Sequence, residues 1–137
     1  SPDYLARHGT PDSVEQLSAH RLLGFTAPAS LNTWPLMHAG VEGLPVAPAV
    51  TASSGETLRH LVLAGAGIAR LADFLTLKDV RSGALVHVLE DVTLPWSEPV
   101  WAVFYKQGAL APRVGALVKF LAQRLGEVLD PVQHLRK

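Results

Sequence analysis

The residues with the strongest claim to chemistry are Ser53-Ser54-Gly55-Glu56-Thr57, which stand just ahead of the apolar-faced run Leu58 to Leu63. A helix leaves the N–H groups of its first turn without partners and carries a partial positive charge at that end. Two hydroxyls, those free amides and the dipole together make a small site for a carboxylate or another anion. The same residues also suit a plain helix start, in which Ser53 or Ser54 accepts one of the orphan N–H groups. The residues alone leave both readings open.

Other familiar chemistries lack their residues. Gly65-Ala66-Gly67 follows its helix, whereas a dinucleotide fingerprint puts its glycines between strand and helix, and position 70 is Arg where the last glycine belongs. Ser54 has Ala52 and Glu56 at the positions a nucleophile elbow gives to glycine. His8, His20, His38, His60, His87 and His134 show no metal-binding spacing, so no metal site is expected. Glu90 and Asp91 are adjacent, which in a strand end sends them to opposite faces and prevents them from acting as a carboxylate pair. Trp34, Trp96 and Trp101 read as core or interface residues and not as a stacking platform. No enzyme and no cofactor are expected.

The elements that position Ser53 to Thr57 follow from spacing. Leu58, Leu61, Val62 and Gly65 share one helical face, Gly65 or Gly67 ends the helix, and Ile68 to Leu71 reads as a buried strand. Upstream, Ser1 and Pro2 open a short helix closed by Gly9. A second helix opens at Thr10-Pro11, with Ser13-x-x-Gln16 as capping box, and ends before Arg21. Arg21 to Phe25 and Val46 to Thr51 read as strands, the second placed at an edge or strand end by Pro48. Leu31 to Trp34 is a further strand candidate in a stretch broken by Pro28, Pro35 and Gly40. Thr76-x-x-Asp79 predicts a short helix ending near Ser82-Gly83. Leu85 to Leu89 and Val100 to Tyr105 are the clearest strands, and Pro112 opens the longest helix. Strands alternating with helices predict an α/β fold on a largely parallel sheet.

Composition narrows the function classes. The 137 residues suit one domain, and 48% hydrophobic content supplies a core. Twelve Lys+Arg balance twelve Asp+Glu, so no basic face announces direct nucleic-acid binding. Cysteine is absent, which suits a reducing compartment. No apolar run approaches the roughly 18 to 20 residues of a membrane span, so no membrane partner is expected. The chain lacks an initiator Met and opens directly on a helix signal, as a piece of a longer protein does.

Read in order, these segments resemble a known family. Ser1-Pro2-Asp3-Tyr4-Leu5-Ala6-Arg7-His8-Gly9-Thr10-Pro11 is similar to the SPxYLxxHGxP segment in the effector-binding domains of LysR-type transcriptional regulators. There follow LxxHRLL (Leu17 to Leu23), LNTW (Leu31 to Trp34), the helix segment SSGETLRHLVLAGAGIARLADFL (Ser53 to Leu75), GALVHVLED (Gly83 to Asp91) and the close from Pro99 to Leu125. The resemblance covers nearly the whole chain.

It implies a periplasmic-binding-protein-like (type 2) fold, in which two α/β subdomains hold a small-molecule inducer between them and a separate winged helix-turn-helix binds DNA. Residues 1–108 would be effector subdomain II, and 109–137 a closing helix and tail returning toward subdomain I. Matched by position, the cleft-facing places are Ser53, Ser54, Gly55, Glu56 and Thr57, then Asp73 and Phe74 after the strand. The segment around Thr26, Asn32 and Thr33 joins them. Asp73 also suits a plain helix cap. The implied protein is cytoplasmic and homo-oligomeric, takes a small anionic effector, and reaches DNA only through the helix-turn-helix domain. A solute-binding receptor of the same fold is the alternative; a hydrolase piece lacks its nucleophile. Val114, Leu117, Val118, Leu121, Leu125 and Val128 form one stripe on the closing helix. Such a stripe is expected to fold back on its own sheet or to dock on a second copy.

Overall fold

Ser1 starts the fold as its position predicts. In the computed structural model its hydroxyl accepts the Tyr4 N–H at 3.4 Å, and Pro2 takes the first helical position. Helix α1 then runs Pro2–His8 until Gly9, at φ 84°, turns the chain away. The structure describes residues 1–97, 103 and 112–129. The chain divides into two compact units, Ser1–Trp96 and Ser97–Lys137.

Among the described residues the strands are β1 (Leu22–Phe25), β2 (Thr33–His38), β3 (Val41–Pro45), β4 (Val50–Ala52) and β5 (Ile68–Ala69), and the further helices are α2 (Gly55–Leu63), α3 (Asp73–Arg81) and α4 (Pro112–Leu129). β1 is central, with β4 and β5 both parallel to it on either side. This is the parallel sheet that alternating strands and helices predict, with α2 carrying the chain from β4 over to β5. Strand alternation feeds two cores. Leu22 and its register partner Ile68 join Tyr4, Leu17, Trp34 and Leu36. Leu23, fully buried, instead meets Leu58, Val62 and Leu85 under α2.

α2 obeys its sequence closely. Leu58 and Val62 are buried, the helix ends at Ala64, and Gly65 at φ 73° supplies the left-handed exit. Gly67 is required for a different reason. A methyl group there would run into the backbone carbonyl oxygen of Arg21, the same oxygen that accepts the Ile68 N–H at 2.9 Å. The first unit therefore needs a bare backbone where β5 joins β1.

Several expectations are corrected. The second helix is a 3-10 helix, Glu15–Ala19, and the capping box at Ser13 does not form; Gln16 Oε1 instead accepts the Asp12 N–H at 3.1 Å. Leu31 to Trp34 is split between a 3-10 helix, Ala29–Asn32, and β2, which continues through Pro35 with a register shift between Trp34 and Met37. β2 and β3 form a hairpin whose two-residue loop, Ala39 (φ 51°) and Gly40 (φ 78°), has the paired left-handed conformations that match strand twist.

The strand predicted over Val46 to Thr51 is shorter and later, Val50–Ala52, because Pro48 packs against Gly24 before pairing begins. β5 likewise stops at Ala69, short of the predicted Leu71. Helix α3 begins at Asp73, three residues before the predicted cap. Thr76 lies inside it, buried, with its hydroxyl donating to the Ala72 carbonyl at 3.4 Å.

Leu85 to Leu89 is not a strand. Leu85 belongs to one core and Val88 and Leu89 to the other, so the segment bends between them; Leu89 adopts φ 60° and a 3-10 turn follows at Glu90–Val92. Glu90 and Asp91 therefore sit in that turn and not at a strand end. The predicted strand Val100 to Tyr105 lies, Val103 apart, outside the described residues. In the second unit, α4 forms as predicted from Pro112 and carries Leu117, Leu121 and Leu125 as exposed apolar side chains.

Candidate functional site

Parallel pairing sends β1, β4 and β5 out at one edge. Their last residues are Phe25, Ala52 and Ala69, so Thr26, Ser53-Ser54 and Arg70 all leave from the carboxyl end of the sheet. The Thr26 N–H donates to the Ala52 carbonyl at 3.0 Å and fastens two of these exits together. Open α/β sheets take ligands at such an edge, where the strand order changes direction. Here the chain leaves β1 toward β4 on one side and crosses to β5 on the other.

Ser54 is the residue before α2, with extended backbone (φ −126°, ψ 134°), and its carbonyl accepts the Leu58 N–H at 3.1 Å. Its side chain makes no capping hydrogen bond, so the hydroxyl is not committed to the helix. Ser53, Ser54, Glu56 and Thr57 are exposed. Glu56 turns along the helix: one carboxylate oxygen accepts from Arg59 at 2.8 Å and lies 3.2 Å from His60 Nε2. That pairing offsets the charge of Glu56, which would otherwise oppose an anion at this end.

Gly55 lets neighbouring elements close in. A Cβ there would lie 2.8 Å from Leu75 Cδ1 and 3.8 Å from the Phe25 ring, so the starts of α2 and α3 meet over the end of β1. Asp73 is the first residue of α3, where a carboxylate favours the helix dipole, and Phe74 beside it is 66% exposed. Ser53, Ser54, Gly55 and Asp73 thus gather at one edge with Thr26.

Asn32 and Thr33 are used differently. The Asn32 carboxamide accepts the Phe25 N–H and donates to the Phe25 carbonyl, both at 2.8 Å, and so clamps the end of β1. Thr33 starts the hairpin, its methyl 3.2 Å from where a Cβ on Gly43 would stand.

Arg70 was missed among the candidate residues. It follows β5, donates to the Leu31 carbonyl at 3.3 Å and lies with its guanidinium 5.5 Å from the Trp96 ring centroid. The one signal for it was an Arg directly after a short apolar strand. Its backbone leaves from the same edge as Ser53 and Ser54, while its side chain ties the loop at Leu31 to Trp96.

Comparison with known proteins decides the family. The LysR substrate binding domain matches residues 1–126. The chain belongs to the LysR substrate-binding domain family. An HTH-type transcriptional regulator CrgA of Neisseria meningitidis serogroup C is 46% identical over 129 residues, covering 94% of this chain and 43% of that protein. The regulator DmlR of Escherichia coli is 30% identical over 93% of this chain and 41% of its own length. The solved regulatory domain of CrgA, described as a LysR-type transcriptional regulator, superposes with a TM-score of 0.85 at 45% identity, covering 91% of this chain and 61% of that one. This LysR-family chain therefore spans about two fifths of these regulators' length. Its relatives are transcriptional regulators, which fits the periplasmic-binding-protein-like α/β fold and sets it apart from enzymes and from free solute receptors. Among the described residues, no helix is long and apolar enough to cross a membrane.

Proposed function

We propose that this chain is the effector-sensing module of a LysR-type transcription factor. Residues 1–108 act as effector subdomain II, and 109–137 form the closing helix and tail that return toward subdomain I. A small anionic inducer binds between the subdomains, with Ser53, Ser54 and the amides of Gly55 to Thr57 on this side, and Asp73, Phe74, Asn32 and Thr33 framing the site. The signal passes to a winged helix-turn-helix domain, through which alone the protein contacts DNA. The protein works in the cytoplasm as a homo-oligomer.

One observation carries this reading: the parallel exits of β1, β4 and β5 bring the Ser54 hydroxyl, which caps nothing, and the N-terminus of α2 to one edge of the sheet. Each favours negative charge, and the carboxylate of Glu56 is turned aside by Arg59. Metal and cofactor play no part in it.

The test is an effector titration of the intact regulator with a panel of small carboxylates, read by operator binding. Ser53→Ala and Ser54→Ala are each expected to weaken the response by about 1 to 2 kcal/mol, a lost hydrogen bond to a charged group. Because the Ser54 side chain caps nothing, Ser54→Ala should leave stability within about 0.5 kcal/mol. Unchanged titrations in both variants overturn the assignment and leave a helix start only.

A further inference from the structure

The opposite end of the sheet holds a concavity. A cavity of about 380 Å³ opens at the amino ends of the parallel strands, between the 3-10 helix at Glu15–Ala19, the first residue of β1 and the chain leaving β3. Its walls are apolar, formed by Leu17, Leu22, Leu44 and Val46, with Ala49 ahead of β4. The depression is open to solvent, and its apolar walls with a few converging polar groups are the usual make-up of small-molecule sites.

The polar groups at the mouth are Glu15, His38, His20 and Ser18. Glu15 Oε1 is 3.3 Å from His38 Nδ1. The Ser18 hydroxyl is turned back to donate to the Glu15 carbonyl at 2.7 Å. The Arg21 N–H donates to the Tyr4 oxygen at 2.9 Å, and that oxygen lies 3.2 Å from His20 Nδ1. Glu15 is the one formally charged residue lining the cavity. Hydrogen bonds from its own backbone N–H and from Ser13 hold its carboxyl below the ordinary value, so it is an anion across the working range.

We propose that this cavity is a second ligand site that takes a protonated primary amine with an apolar body, its ammonium at Glu15 and its body against Leu17, Leu22, Leu44 and Val46. Charge selects the class: a carboxylate ligand meets Glu15 as a like charge, whereas an ammonium finds an opposite one. The site sits at the amino edge, away from Ser53 and Ser54, so it stands or falls independently of the proposed effector site.

The probe is phenethylammonium, with 3-phenylpropionate as a partner of matching body and opposite charge, titrated into the intact regulator and followed by backbone amide NMR. Saturable shifts at Glu15, Leu44 and Val46 below about 10 mM phenethylammonium are expected. 3-Phenylpropionate should not shift those amides. Glu15→Gln should weaken binding up to about fivefold, the scale of an exposed ion pair. Ala47→Trp, at an exposed position lining the cavity, should abolish it by filling the space, with an unchanged melting curve showing that the fold is kept. Absence of saturable shifts, equal binding of the carboxylate, shifts confined to Ser53 to Gly55, or full binding in both variants would overturn the proposal.

Discussion

Arg59 on α2 holds Asp79 on α3 through two parallel hydrogen bonds, Nε to Oδ2 at 2.6 Å and a terminal nitrogen to Oδ1 at 2.8 Å. The guanidinium's remaining arm reaches Glu56 at 2.8 Å, so one cation ties the start of α2 to the last turn of α3. The Asp79 side chain is 12% exposed, and such a partly desolvated bidentate pair has a geometry that loose surface pairs lack.

The pair predicts an acid-sensitive fold. Hydrogen bonds from Arg59, then its charge, hold the folded Asp79 carboxyl below the ordinary value, outweighing the opposing effect of burial. A depressed folded value means the stabilisation is complete above the unfolded value, near 3.9, and is lost as pH falls through the folded one. Urea midpoints followed from pH 7 downward should fall in that acid window. Asp79→Asn should lower the midpoint at pH 7 and flatten the acid limb. An acid limb of equal depth in the variant would show that other carboxylates carry it.

Asn32 should prove structural before it proves functional. Its carboxamide satisfies both the N–H and the carbonyl of Phe25. Asn32→Ala leaves two half-buried backbone groups without that partner and should cost about 2 to 3 kcal/mol in denaturant unfolding. Asn32→Asp keeps the acceptor but loses the donor, and should fall between. A wild-type midpoint for Asn32→Ala would mean water replaces the clamp at no cost.

Gly67→Ala should be among the most damaging small changes in the first unit. The added methyl collides with the Arg21 carbonyl and comes within 3.3 Å of Leu23 Cγ, where β5 joins the central strand. Backbone cannot yield as a side-chain tip can, so a loss of about 3 kcal/mol or more is expected. Gly83→Ala has open space and isolates the cost of left-handed backbone alone, at φ 76°. Equal losses for the two would remove the collision as the cause.

DNA binding should be absent from the 137-residue chain alone, because twelve acidic residues balance twelve basic ones. A gel-shift at physiological salt with the parent's operator is the measurement. A sequence-specific band would contradict the division of labour proposed above.

How much of this was legible depended on where each element's determinants lie. α1, α2 and α4 carry their own signals: a capping serine, a proline at the start, a glycine at the exit, an apolar stripe. The hairpin did not, because its turn uses Ala39 in a conformation usually given to Asn or Asp, and because Pro35 reads as a breaker but sits at a register shift. Leu85 to Leu89 has the composition of a strand, yet strand formation depends on a neighbour to pair with, which composition does not encode.

The site divides in the same way. Ser53 and Ser54 announce themselves by standing before a helix. Arg70 and Asp79 gain their meaning only from partners far along the chain, Leu31 and Arg59, and no local spacing reports that. The cavity at the amino edge is likewise assembled from segments that the chain brings together only in three dimensions.

The order of strands also sets a delay during synthesis. β1 is made first, but its partners come later, Val50 for Leu23 and Ile68 for Leu22. Until Ile68 has left the ribosome, the apolar strand has at least one bare edge, and at about 5 to 20 residues per second that interval lasts several seconds. A nascent chain stalled before Ile68 therefore offers Leu22, Leu23 and Phe25 to chaperones and proteases, and the length of the waiting period is fixed by topology and not by final stability.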